Sequence, residues 1–160
     1  MSFFSRKVED PDLCFCQSVV LLMAGLSYVT TDIALRAIVK GVLVERNISD
    51  IFYDNLERLK GVDVKECYSS DRSVLLNQAE ALFEITAKVY DYCDDNGKGH
   101  CLNALSVPIT KMRLSRFELE PLIIKYFLPV LEKLDESISE QKKIKDWFMN
   151  NMLNIFMTTH

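Results

Sequence analysis

The amino-acid sequence predicts an all-α fold in which six or seven helices form a single domain over residues 1–160, with residues 1–10 as an N-terminal extension. The 160 residues suffice for one ordinary domain with a substantial core. Hydrophobic residues make up 49% and charged residues 26%, a balance typical of a folded globular chain. Five glycines and four prolines leave few turns, which favours long helices over short strands.

The first three helices are predicted from their capping residues. The first runs from Pro11 to about Tyr28, with Asp10 as its N-cap and Pro11 at its first position. Its apolar run is shorter than the roughly 20 residues of a membrane span, so we expect a buried helix and no span. The next two helices should end at about Glu45 and at Gly61. Their N-caps are expected among these residues: Thr30, Thr31 or Asp32 for the second, and Asn47, Ser49 or Asp50 for the third.

The fourth helix carries the clearest amphipathic pattern. It opens at Ser70 or Asp71, and apolar residues then recur at steps of three and four, as on one buried helix face. These residues are Leu75, Ala79, Leu82, Thr86, Val89 and Cys93. The polar stretch 94–99, Asp-Asp-Asn-Gly-Lys-Gly, is expected to end the helix in a loop.

Three more helices are expected in the last third of the chain. A short helix over residues 101–113 is interrupted by Pro108, and Glu120 with Pro121 begins a strong helix that Pro129 should kink. The last helix is predicted to have Ser137 or Ser139 as its cap and an inner side formed by Ile144, Trp147, Phe148, Asn151, Met152, Ile155 and Phe156. No segment predicts a strand.

Composition and motifs argue against several classes of function. The formal net charge is −4 and no basic stripe is present, so we expect no nucleic-acid partner. Five irregularly spaced cysteines indicate a reducing, cytoplasmic compartment, and we expect them to be small buried residues. The sequence shows no zinc-ligand spacing, no glycine-rich phosphate loop and no nucleophile paired with a base. We therefore expect neither a metal site nor an enzyme.

Two local patterns in the middle of the chain are similar to parts of a known fold. Phe52, with Leu56 four residues later, resembles the globin corner whose phenylalanine packs flat on the haem. Residues 76–83 resemble the globin helix on the distal side of the haem. In that resemblance Gln78 takes the distal position, and Leu82 faces the ligand pocket.

The C-terminal part continues the same resemblance. Residues 117–122 are similar to the start of the penultimate globin helix, where an apolar residue precedes an acid and a proline. Trp147 lies where many non-vertebrate globins have a tryptophan early in the last helix. The chain thus resembles a divergent globin over about residues 33–157, which implies a globin-like bundle.

The departure from the globin pattern lies at the position of the iron ligand. Globins place a histidine five or six residues before the apolar residue that opens the penultimate helix. Here those positions hold Leu114 and Arg113, and residues 109–112 are Ile, Thr, Lys and Met. Histidine occurs in the chain only at His100 and His160. Because haem iron needs an axial side chain, the sequence favours a domain without haem.

We therefore expect a haem-free, globin-like module that regulates or senses a ligand and carries no cofactor. Without haem, the space between the distal and proximal helices either collapses or remains as an apolar pocket for a hydrophobic small molecule. The predicted pocket residues are Phe52, Gln78, Leu82, Phe83, Ile109, Met112 and Phe127. A protein partner is also expected, including a homodimer formed through the last two long helices.

Two alternatives remain open from the sequence. In the first, the chain is a divergent haem-binding globin that binds oxygen or senses redox state, with His100 or Met112 as the iron ligand. In the second, it is a helical interaction protein of the Bcl-2 type, whose length and helical content fit but whose Asn-Trp-Gly-Arg motif is absent.

Overall fold

The structure, a computed structural model, describes residues 7–157. Within that range it leaves the side chains of the following residues undescribed: Lys7, Asp95, Val130, Ile144, Trp147, Phe148, Met149, Met152, Leu153 and Met157. Four predicted inner side chains of the last helix therefore lie outside the described part: Ile144, Trp147, Phe148 and Met152. The same holds for most of the N-terminal extension and for His160.

Eight helices and two short strands make up the described chain, so the fold is mostly helical, as predicted. In order, the elements are β1 (Lys7–Val8), α1 (Pro11–Leu26), α2 (Asp32–Glu45), α3 (Ser49–Leu59), β2 (Asp63–Val64), α4 (Arg72–Tyr90), α5 (Asp95–Met112), α6 (Arg116–Tyr126), α7 (Leu128–Glu132) and α8 (Ser139–Met157).

Side-chain caps confirm the predicted starts of three helices. Asp10 accepts a hydrogen bond from the backbone N–H of Asp12 at α1, and Thr31 and Asp71 cap α2 and α4 in the same way. The predicted cap of α3 is wrong, because its N-cap is Ile48, which offers no side-chain acceptor. Asn47 instead has a φ of 61°. Asparagine tolerates this left-handed conformation, and here it lets the chain turn after α2.

The predicted loop at residues 94–99 is also wrong, because α5 begins within it. The side chain of Asp94 accepts the backbone N–H of Gly97 at 2.8 Å and caps the helix. Pro108 lies inside α5 without ending it, and the helix stops at Arg113, which has a left-handed φ of 53°. The stabilisation from the Asp94 cap thus outweighs the low helix propensity of Gly97 and Gly99 in the first two turns.

The penultimate helix of the prediction is divided into α6 and α7, which raises the number of helices above seven. Ser115 and Glu118 form a reciprocal capping box, so α6 begins earlier than predicted. The helix ends at Tyr126, and α7 begins at Leu128 just before Pro129. Proline has no backbone N–H to donate, so Pro129 interrupts the helical hydrogen bonding. The interruption lies where the kink was predicted.

The prediction that no strand forms is wrong for four residues. Lys7 pairs with Asp63 and Val8 pairs with Val64 in a parallel arrangement. Val64 is buried, and it packs with Leu13 in a small apolar cluster. This pairing attaches the segment before α1 to the segment after α3.

Helix α1 lies at the centre of the fold. It packs most extensively against α5 and α3 and also contacts α4. Its buried side chains include Phe15, Val19 and Leu22, which belong to one continuous core. Helices α6 and α8 pack against each other, and Phe156 of the predicted inner side of α8 is buried. Among residues 7–157, no helix is both long and apolar enough to cross a bilayer.

Candidate functional site

The structure buries all seven residues of the predicted pocket. Their side chains are 3% exposed or less, and six of them belong to the same hydrophobic core. The ring of Phe83 contacts the rings of Phe127 and Phe156, with centroids 5.9 Å and 5.3 Å apart. Phe127 also meets Tyr90 edge to face at 5.6 Å. Aromatic side chains therefore fill the interior around Phe83.

Gln78 is the exception to this close packing. The residue is 1% exposed on the buried side of α4, yet its Oε1 atom has no hydrogen-bond partner among the described residues. An unpaired buried amide oxygen costs about 1–3 kcal/mol. A buried water or a small polar ligand with a donor would remove that cost.

The residues at the candidate iron positions make other contacts in the fold. The Nε2 atom of His100 lies 2.9 Å from the backbone oxygen of Gly25, and its ring packs edge-on against Tyr28 at 5.3 Å. His100 thus joins the first turns of α5 to the end of α1, away from the predicted proximal segment. Met112 is buried in the core, and a thioether alone is a weak anchor for haem.

An open apolar groove lies between α1, α2 and α3. Its volume is about 670 Å³, within the range of about 300–1,000 Å³ that small-molecule sites occupy. Phe52 is the one predicted pocket residue that lines it. The remaining apolar lining consists of Val20, Met23, Ala24, Leu35, Ala37, Val39, Tyr53 and Leu56.

Polar residues lie at the α2 side of this groove. Asp32 and Arg36 form an exposed ion pair with an Nε–Oδ2 distance of 2.9 Å. Lys40, one turn further along α2, is exposed and has no ion pair within the described part of the chain. The groove thus combines an apolar floor with an unpaired cation at its edge. Phe52 was predicted as a pocket residue from its resemblance to the globin corner, but no local pattern in the sequence indicated a groove between α1, α2 and α3.

A half-buried charge cluster, which the sequence did not indicate, joins α2, α4 and α6. Arg46 donates to Glu84 at 2.7 Å and to Glu80 at 2.8 Å, and it also contacts the hydroxyl of Tyr126 at 2.6 Å. Burial favours a higher pKa for Glu80, but hydrogen bonds from Lys125, Tyr126 and Arg46 outweigh it and lower the pKa to about 2. The cluster connects three helices and leaves its charges mutually satisfied, as expected of a structural network.

An apolar stripe is exposed along α6. Phe117 is 87% exposed, Ile124 is 56% exposed, and Pro121 between them is exposed as well. Steps of four and three residues place all three on one face of the helix. We call this face the α6 stripe. Isolated exposed apolar residues are common, whereas these three are aligned on one helix face.

Comparison with known protein families, with curated proteins and with solved structures finds no match for this chain. Within residues 7–157, no three histidine, cysteine, aspartate or glutamate side chains are grouped so that they could hold a metal ion.

Proposed function

We propose that this chain is a haem-free, globin-like sensing module that binds a long-chain fatty acid, or a molecule of the same chemistry, in the groove between α1, α2 and α3. The observation that carries the proposal is the combination of an apolar groove of about 670 Å³ with the unpaired cation Lys40 at its edge. The apolar chain would lie over Phe52 and Leu56, and the carboxylate would lie near Lys40. The proposed role is regulatory, not catalytic.

The class of ligand follows from the apolar contacts and the one charge that the groove offers. Burying an alkyl chain gains about 25 cal/mol for each Å² of apolar surface removed from water. A purely polar ligand would leave its donors and acceptors unpaired against the apolar floor, which costs free energy. An anionic head group gains an ion pair with Lys40 at little desolvation cost, since that side chain is exposed.

We expect the fluorescent fatty acid cis-parinarate to bind the full chain saturably in a fluorescence titration. Ala24→Phe should weaken binding at least about tenfold, because the added ring occupies the groove. Lys40→Met should weaken it by about threefold, the size expected of one exposed ion pair. Lys88→Met, which removes an exposed lysine of α4 outside the groove, should leave the affinity unchanged.

The proposal fails if cis-parinarate does not bind the folded chain saturably. It also fails if Ala24→Phe binds as tightly as the unchanged protein while retaining its far-ultraviolet circular dichroism. If added haemin instead gives the Soret band of an axially ligated iron, the haem-binding alternative is favoured.

We also infer that the α6 stripe mediates self-association of two copies of the chain. A homodimer buries the same face of both copies around a two-fold axis, and the stripe lies on α6, within the segment predicted as the penultimate helix. Phe117 supplies the kind of large aromatic anchor that dominates interface energetics.

Sedimentation equilibrium of the full chain should show a monomer–dimer equilibrium that Phe117→Lys shifts to monomer. The shift should be at least about tenfold in the dissociation constant, because a charge replaces the large aromatic side chain of the stripe. Val107→Lys is the matched control, since Val107 is an exposed apolar residue of α5 outside the stripe. A monomer at all concentrations, or equal effects of both variants, would refute the α6 interface.

A further inference from the structure

Two cysteines lie in contact at the corner between α4 and α5. Cys93 is in the link that follows α4, and Cys101 is in the second turn of α5. Their Sγ atoms are 3.8 Å apart, which is a van der Waals contact between two thiols. A disulfide needs a separation of about 2.05 Å, so the sulfurs have to approach by about 1.8 Å. Cys93 lies outside the helices, so its backbone is not fixed by helical hydrogen bonding on both sides.

The two thiols differ in access to solvent. Cys93 is half-buried and lines a polar surface cavity of about 540 Å³, together with Tyr28, Tyr92 and His100. Cys101 is fully buried beneath it, and burial raises the pKa of its thiol. A small polar oxidant can therefore reach Cys93 from the cavity, whereas Cys101 is closed to solvent.

The Sγ atom of Cys93 has polar neighbours and donates a hydrogen bond to the backbone oxygen of Val89 at 3.1 Å. The Cys93 side chain lies over the first turn of α5, where a Cβ atom on Gly97 would be 3.4 Å from Sγ. The ammonium group of Lys98 is also close, since it donates a hydrogen bond to the backbone oxygen of Cys93.

We propose that Cys93 and Cys101 form a reversible disulfide when the protein meets a hydroperoxide. The Cys93 thiolate attacks one oxygen of the peroxide, the O–O bond breaks, and Cys93 becomes a sulfenic acid while water leaves. Cys101, after losing its proton, attacks the Cys93 sulfur, and the S–O bond breaks to release a second water. Overall, two thiols and one hydrogen peroxide give one disulfide and two waters, so the two electrons lost by sulfur reduce the peroxide.

The other three cysteines lack this arrangement. Cys16 is fully buried, and burial raises the pKa of its thiol to about 11. Cys14 is buried too, and its sulfur donates to the backbone oxygen of Lys65 and accepts the backbone N–H of Cys67. Cys67 is half-buried like Cys93, which makes it the matched control for exposure.

The test is mild oxidation of the reduced full chain with equimolar hydrogen peroxide, followed by alkylation, proteolysis and mass spectrometry. We expect a linked peptide pair that contains Cys93 and Cys101, with a mass about 2 Da below that of the two free thiols, and dithiothreitol should reverse it. Cys101→Ala should leave a sulfenic acid on Cys93 that dimedone traps, and Cys93→Ser should abolish the link. Cys67→Ser should not change the yield.

The proposal is overturned if the folded, unchanged chain forms no Cys93–Cys101 link under these conditions. It is likewise overturned if dimedone labels Cys67 as readily as Cys93 in the Cys101→Ala protein. Because the link is measured directly in the unchanged chain, loss of folding in a variant does not remove the test. The result is also independent of whether the groove binds a fatty acid.

Discussion

Replacing Gly25 with valine should lower the free energy of unfolding by about 3 kcal/mol, measured by urea denaturation. A Cβ atom at Gly25 would lie 2.6 Å from the Cβ atom of Ala104 and 3.2 Å from its Cα atom. Helix α1 approaches α5 so closely that only a glycine fits there. The larger side chain forces apart the two helices that pack most extensively in the fold.

Two further variants separate this close approach from helix propensity. Gly25→Ala should lower the free energy of unfolding by about 1 kcal/mol. The higher helix propensity of alanine, worth about 1 kcal/mol, offsets part of the clash. Gly41→Ala should stabilise the protein by about 0.5–1 kcal/mol, since a Cβ atom there meets nothing within 4 Å. A Gly25→Val protein as stable as the unchanged chain would contradict the described packing of α1 on α5.

Replacing Arg46 with methionine should lower the free energy of unfolding by a similar amount, about 3 kcal/mol. The Arg46 side chain is 16% exposed, and its guanidinium group neutralises Glu80 and Glu84, whose side chains are about one-fifth exposed. Methionine keeps the apolar stem but removes the cation that Glu80 and Glu84 share. Lys125 then pairs with Glu80, and Lys88 lies near Glu84. Uncompensated charges in a half-buried site account for most of the loss.

The control for this prediction is Arg36→Met. Arg36 forms an ion pair with Asp32 on the same helix, but its side chain is 73% exposed, so its removal should change stability by no more than about 0.5 kcal/mol. Arg46→Lys should lower the free energy of unfolding by less than Arg46→Met and by more than Arg36→Met. An ammonium group cannot bridge both carboxylates as the planar guanidinium group does. Equal effects of Arg46→Met and Arg36→Met would show that the cluster does not hold α2, α4 and α6 together.

Local signals were sufficient for the helices that begin at a good cap. Asp10, Thr31 and Asp71 each accept a backbone hydrogen bond from the next turn, so the helix start is encoded within a few residues. At Asp94 the same signal was present but was outweighed in the prediction by the glycines that follow. The pairing of β1 with β2 was not predictable from either segment, because each becomes a strand only beside the other.

The candidate site was predicted less completely than the fold. The seven predicted pocket residues are buried. Six of them, all but Gln78, belong to the filled core, and Phe52 alone also lines the open groove. A sequence pattern identifies which face of a helix is buried, while the space left between three helices depends on their angles and separations. The same holds for Arg46, whose partners Glu80 and Glu84 are more than 30 positions away in the chain.

The central claim is that an apolar acid binds between α1, α2 and α3, and photo-crosslinking tests it most directly. The full chain is irradiated with a long-chain fatty acid that carries a diazirine near its tail, and the labelled residues are located by mass spectrometry. We predict labels within α1–α3, near Met23 and Leu56, that excess oleate suppresses. Labels concentrated on core residues such as Leu82 and Met112, or labels that oleate does not suppress, would contradict the claim.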